Sequence, residues 1–175
     1  MLLHKYTSSW ITDFEHIKKV INSVIKDVDV EIEHIGSTAV PDLDAKPIID
    51  IDIIYSDLVS FESLKSSLLE IGYYHNGDQG IPDREVFKRS GTINHKILDT
   101  IAHHLYVCPS HSKAMERHVR TRDYLRKNTS ARIYYQEMKY ALALEANQDR
   151  KVYARLKELK INAFIDEIVA KERFQ

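Results

Sequence analysis

Apolar residues recur every three to four positions through Trp10, Phe14, Ile17, Ile21, Val24 and Val28, which predicts an amphipathic helix over residues 12–27. Thr12 and Glu15 stand three apart near its start, as a capping box would. The period then shortens to two. Val30-Glu31-Ile32-Glu33-His34-Ile35 alternates as a half-buried strand does. Ile48 to Ile54 predicts a second strand, with Ile49, Ile51 and Ile53 on one face and Asp50 and Asp52 on the other. Between the two lie a small-residue turn, Gly36-Ser37-Thr38, and a loop punctuated by Pro41 and Pro47. Helical spacing returns in Leu58, Phe61, Leu64, Leu68 and Ile71, and Gly72 stops it.

Residues 73–108 read as strand and hairpin: Tyr73-Tyr74, turns at Asn76-Gly77 and Gly80-Ile81-Pro82-Asp83, an alternating Glu85 to Lys88, and a strand from Thr100 to Cys108. From about Ser112 the chain turns helical. The first helix carries His118, Arg122 and Arg126 at four-residue steps on one side. A second, capped by Thr129 or Ser130, runs to about Ala146 with Tyr135, Lys139 and Leu142 at recurrent spacing. The last spans about Arg150 to Arg173, with Val152, Leu156, Leu159 and Ala163 as its stripe. The pattern predicts an α+β fold: a mixed sheet of about four to five strands packed by helices in residues 1–112, and a mainly helical part, 113–175, packed on it as one unit.

Charge adds a direction to this picture. Residues 1–112 hold 10 lysines and arginines against 17 aspartates and glutamates; residues 113–175 hold 15 against 9. The basic half is therefore expected to face an acidic site or a phosphate-bearing ligand between the halves, unless its charged helices are simply solvated. No apolar run approaches the roughly 20 residues of a membrane span, and the single Cys108 offers no internal disulfide. With no signal peptide in Met-Leu-Leu-His, a cytoplasmic protein without a membrane partner is expected. Near-neutral total charge and the lack of a nucleic-acid-binding motif argue against nucleic acid as the partner.

Asp is a poor strand former, and Asp50 and Asp52 put like charges about 6 to 7 Å apart on one side of a sheet. Water can relieve the repulsion on a solvated face. So can a hard divalent cation, and carboxylate pairs of this kind support metal-assisted phosphoryl or nucleotidyl transfer. Gly36-Ser37, just after a strand, offers backbone N–H groups and a hydroxyl to an anion, although a plain turn would use the same residues. There is no Walker-type phosphate loop.

Taken together, H-I-G-S-T-A-V-P-D-L-D-A-K-P-I-I-D-I from His34 to Ile51 resembles the signature of GrpB-like members of the nucleotidyltransferase superfamily. The likeness extends to His104 and to Arg122-Asp123-Tyr124-Leu125-Arg126, and Tyr153 and Lys157 resemble family positions too. It implies a nucleotidyltransferase-like mixed sheet in which Gly36, Ser37 and Thr38 hold a triphosphate and Asp50 and Asp52 bind Mg2+ or Mn2+. It also implies that Lys46, Arg84, Arg122 and Arg126 contact phosphates or the acceptor, with His104 completing the catalytic set. The implied reaction is metal-dependent transfer of a nucleotidyl group from a nucleoside triphosphate to an acceptor. Two departures stand out: His104-Leu105-Tyr106 keeps only the first half of the family's H-x-H, and its strand has no third carboxylate, Asp99 falling just before it. His104 could equally be a buried histidine bonded to a backbone carbonyl, a role that fits His103 better still. The alternative implied function is an inactive module that binds a nucleotide or cofactor precursor. Fusion of family members to dephospho-coenzyme A kinase links that alternative to coenzyme A metabolism.

Overall fold

Alternating runs can hide one side only by joining a sheet, and here they form a mixed one. In the computed structural model, which describes residues 2–25, 29–56 and 59–172, β1 (Val30–Ile35) pairs antiparallel with β2 (Ile49–Tyr55). β2 runs parallel to β5 (His103–Pro109), and β4 (Glu85–Arg89) and β3 (Tyr73–His75) follow antiparallel, in the order β1-β2-β5-β4-β3. The expected positions Val28, Leu58 and Arg173 lie outside the described residues.

One face of this sheet is apolar. Trp10, Phe14, Ile17 and Ile21 from α1 (Ser9–Val24) and Leu64 and Leu68 from α2 (Phe61–Glu70) pack on it, joined by Leu98 of the short α3 (Lys96–Thr100). They meet Ile49, Ile51 and Ile53 of β2 and Leu105 and Val107 of β5. Ile17, Ile21, Ile51, Ile53 and Leu64 are completely enclosed, and each contributes about 2 kcal/mol by leaving water.

A second core holds the helical part together. Leu125 of α4 (Lys113–Lys127), Tyr135 and Leu142 of α5 (Thr129–Glu145), and Tyr153, Ile161 and Ile168 of α6 (Arg150–Glu172) close on Leu2, Leu3, Val40 and Leu43. An antiparallel bridge between His4 and Ala45, with N–H···O distances of 2.8 and 3.0 Å, ties the N-terminal segment to the loop before β2. Asp44 extends that clamp. Its carboxylate accepts from Lys5, from the Tyr6 N–H and from the Tyr140 hydroxyl, while its N–H donates to Gln136. No helix among the described residues is long and apolar enough to cross a membrane.

Four local expectations are corrected. Helix α1 begins at Ser9, where the Thr7 hydroxyl accepts the Ser9 N–H at 3.2 Å, so Thr12 and Glu15 lie inside the helix and form no capping box. Asn128, rather than Thr129 or Ser130, separates α4 from α5, and its side-chain amide donates back to the Tyr124 carbonyl at 2.9 Å. The start of the strand expected from Thr100 is helical instead. His95 caps α3, accepting the Leu98 N–H, and Asp99 accepts the His95 N–H. In α6, Val152 and Leu159 of the expected stripe are 45% and 68% exposed, while Tyr153, Ile161 and Ile168 are buried. Apolar residues surround this helix, so its packing partners choose the buried face.

Candidate functional site

The sheet face turned away from α1 is charged. Pairing places Glu33 opposite Asp52 and Ile35 opposite Asp50 across β1 and β2, while Asp50 adjoins His104 and Asp52 adjoins Tyr106 across β2 and β5. Two acids directly opposite one another destabilise a sheet. Helix α4 answers both. Arg122 pairs with Glu33, and one turn earlier the Nδ1–H of His118 donates to Asp52 Oδ2 at 2.9 Å.

Arg122 also donates to the His34 carbonyl at 3.0 Å and to Asp123 at 2.8 Å, so the fold itself uses its guanidinium, although the side chain reaches the cleft wall. Arg126 donates to the Ala39 carbonyl at 2.9 Å, just beyond the small-residue turn, and is not among the cleft-lining residues. Arg84 stacks on Tyr106, its guanidinium carbon 4.9 Å from the ring centre, and its buried Nε has no partner among the described residues. It too is absent from the cleft lining.

The two aspartates differ in setting. Asp52 is 0% exposed; burial pushes its carboxyl above the usual range, His118 opposes that, and Oδ1 is left without a partner among the described residues. Asp50 is half-buried at the cleft, accepting the Nδ1–H of the exposed His104 at 2.8 Å. Its other oxygen rests against Gly36, where a Cβ would overlap it, and Gly36 has a left-handed φ of 73°. Glycine is required here on both counts.

The turn after Gly36 is fastened from beneath. Thr38 is buried, its hydroxyl donating to the Ile48 carbonyl at 3.3 Å and lying 3.0 Å from His34 Nε2. His34 stacks on Phe14 at 4.8 Å, and burial chiefly lowers its pKa to about 4. Thr38 thus shapes the turn through its side chain. The N–H groups of Ser37 and Thr38, at the start of a single 3-10 turn (Ser37–Ala39), have no partner among the described residues. On the opposite sheet face, His103 Nδ1 donates to the Ile101 carbonyl at 2.7 Å, and the Tyr73 hydroxyl lies 2.5 Å from Nε2, a structural arrangement.

Lining a cavity of about 370 Å³ together with Asp50 are Lys46, Lys139 and Lys157. The Lys46 ammonium lies 4.4 Å over the Tyr153 ring. Burial, then Lys157 and Arg150, draw its pKa down. Lys157 is held above the ordinary lysine range by Tyr135 first, with Tyr153 and Asp50 adding to it against the effect of burial. Lys139, 1% exposed, donates to the Asp44 carbonyl, and burial followed by Lys157 pushes its pKa well down. No carboxylate forms an ion pair with these three lysines among the described residues. Lys139 is buried, Lys46 and Lys157 are half-buried, and crowding their amines is costly to the charged forms, a cost that an anionic ligand would relieve.

The structure thus brings Gly36, Ser37, Thr38, Lys46, Asp50, His104 and Arg122 to one cleft, with Asp52 behind His118. Sequence reasoning did not assign Lys139 or His118 to the site. The signal for His118 was its step of four from Arg122 combined with two acids on facing strands.

The donor set fits one hard divalent cation. Asp52 Oδ1 is a buried acceptor without a donor, and Asp50 lies two residues along on the same strand face. No cluster of three or more His, Cys, Asp or Glu suited to a metal occurs among the described residues. The remaining ligands would be water and phosphate oxygens, the usual arrangement for Mg2+.

Residues 1–171 match the family model described as "GrpB protein". The Glutamate-rich protein GrpB of Alkalihalophilus pseudofirmus is 29% identical over 170 residues, 97% of this chain and 94% of that protein. UPF0157 protein YqkA of Bacillus subtilis is 30% identical over 140 residues; the match spans 80% of this chain and 39% of that relative's length. Among solved structures, the conserved protein GrpB from Enterococcus faecalis matches with a TM-score of 0.78 at 26% identity, covering 99% of each chain.

Proposed function

The chain belongs to the GrpB protein family, and we propose that its cleft binds the phosphates of a nucleoside triphosphate together with Mg2+ or Mn2+ and transfers the nucleotidyl group to an acceptor. One observation carries this reading: Asp50, a small-residue turn whose N–H groups have no partner among the described residues, and three lysines outside any ion pair there line one cavity, with Asp52 behind His118. The resemblance of Gly36-Ser37 and Asp50-x-Asp52 to the nucleotidyltransferase pattern supports it. In this reading Gly36 lets the backbone approach the phosphates, and the N–H groups of Ser37 and Thr38 donate to them. Lys46 and Lys157 offset charge on the departing pyrophosphate. Asp50 and Asp52 hold the ion, and His104 orients Asp50. The bound ion would neutralise phosphate charge and favour the attacking oxygen.

A second reading, nucleotide or cofactor-precursor binding without turnover, is favoured by a specific feature. Each aspartate already accepts an imidazole N–H, and β5 supplies no third carboxylate. Labelled ATP, CTP, GTP and UTP, each incubated with Mg2+ or Mn2+, separate the two. Pyrophosphate release supports transfer, saturable binding without release supports the module, and no binding of any nucleotide removes transfer and the nucleotide form of the module.

A further inference from the structure

A carboxylate has two equivalent oxygens, and only its surroundings decide which one is left for a ligand. At Asp52 the surroundings are unequal. Oδ2 takes the Nδ1–H of His118 at 2.9 Å, Oδ1 has no partner among the described residues, and the whole side chain is enclosed. We infer that His118 is the positioning residue that fixes the Asp52 carboxylate with Oδ1 bare for a divalent cation. This inference rests on the function proposed above.

His118 is itself held in place. Its ring lies 5.8 Å from that of Tyr106, tilted by 41°. Its helix is capped by Ser112, which accepts the Met115 N–H at 3.2 Å, and is pinned to β1 one turn later by Arg122 on Glu33. His104, by contrast, approaches Asp50 from a side chain that is 54% exposed. Its setting is the looser of the two. Groups that hydrogen-bond a metal-binding carboxylate typically set affinity through its orientation.

The test uses Mn2+ alone, with its affinity followed by electron paramagnetic resonance of the free ion, on wild type and on His118→Asn, His118→Gln and His118→Ala. Asparagine places an amide N–H near the position of Nδ1, and glutamine places it near Nε2. The Gln and Ala variants should bind Mn2+ about 10- to 100-fold more weakly, while Asn stays within about threefold of wild type. A thermal melt of each variant separates this effect from loss of the fold, which would not distinguish Asn from Gln. Equal affinity in wild type and the Ala variant overturns the inference, as does an Asn variant as weak as Gln. Wild-type protein that binds no Mn2+ would instead sink the metal-dependent function itself, and the inference with it.

Discussion

On the face of the sheet under α1, α2 and α3, the polar side chains are closed off internally: His34 meets Thr38, and His103 meets both the Ile101 carbonyl and Tyr73. Across the same strands, on the face turned toward α4, Asp52 keeps a bare Oδ1 and Arg84 a bare Nε. Nearby, Lys46, Lys139 and Lys157 line the cavity outside any ion pair among the described residues. A buried polar atom left without a partner costs about 1–3 kcal/mol. One face is finished as a folding core, and the other keeps the open valences a ligand would fill.

Changes on the open face should affect binding more than stability. Asp52→Asn should weaken metal-dependent nucleotide binding by more than about 100-fold in calorimetric titration, since it removes a ligand charge rather than a supporting bond. The folded state should be as stable as wild type or more so, because a neutral amide replaces a buried charge. A stability loss with binding intact would reverse the assignment of the two faces. Ile51→Ala probes the opposite side: urea melts should show a loss of about 2–5 kcal/mol, with Mn2+ affinity unchanged wherever the protein remains folded.

A pH response is also expected from the closed face. His34 titrates at about 4 in the folded state against 6.5 for the free side chain. Below pH 6.5 the unfolded chain therefore binds a proton that the folded chain refuses. Its contribution is complete above pH 6.5 and fades as the pH falls toward 4, by about 3 kcal/mol in all. His34→Phe should flatten that part of the stability profile in urea melts between pH 4 and 7. A smaller stability loss than that of Ile51→Ala is expected where the faces meet. Gly36→Ala should cost about 1–2 kcal/mol for its left-handed backbone. It should also weaken Mn2+ binding, though less than Asp52→Asn, by displacing Asp50.

Sequence was a good guide where a feature is local. Alternation marked β1 and β2 and put Asp50 and Asp52 on one side, and helical spacing found the bodies of α1, α2, α4, α5 and α6. It misled where distant partners decide. Val152 and Leu159 repeat as faithfully as Tyr153 and Ile161, and only contact with the rest of the helical core selects the buried pair. The link from His118 to Asp52 spans 66 positions, and Lys139 reaches the Asp44 carbonyl across 95. No local periodicity encodes either. Arg122 shows the same limit: the resemblance implied a phosphate or acceptor contact, and its Nε and Nη1 are engaged by Asp123 and by distant Glu33.

The central claim is that the bare oxygen of Asp52 and the carboxylate of Asp50 grip one ion beside a nucleotide's phosphates. Anomalous diffraction from crystals soaked with Mn2+ and a non-hydrolysable nucleoside triphosphate tests it most directly. The account predicts a peak about 2.1 Å from Asp52 Oδ1 and in reach of Asp50, with phosphate oxygens against the Ser37 N–H. A nucleotide bound elsewhere, or one in the cleft with no ion at the two aspartates, would contradict it.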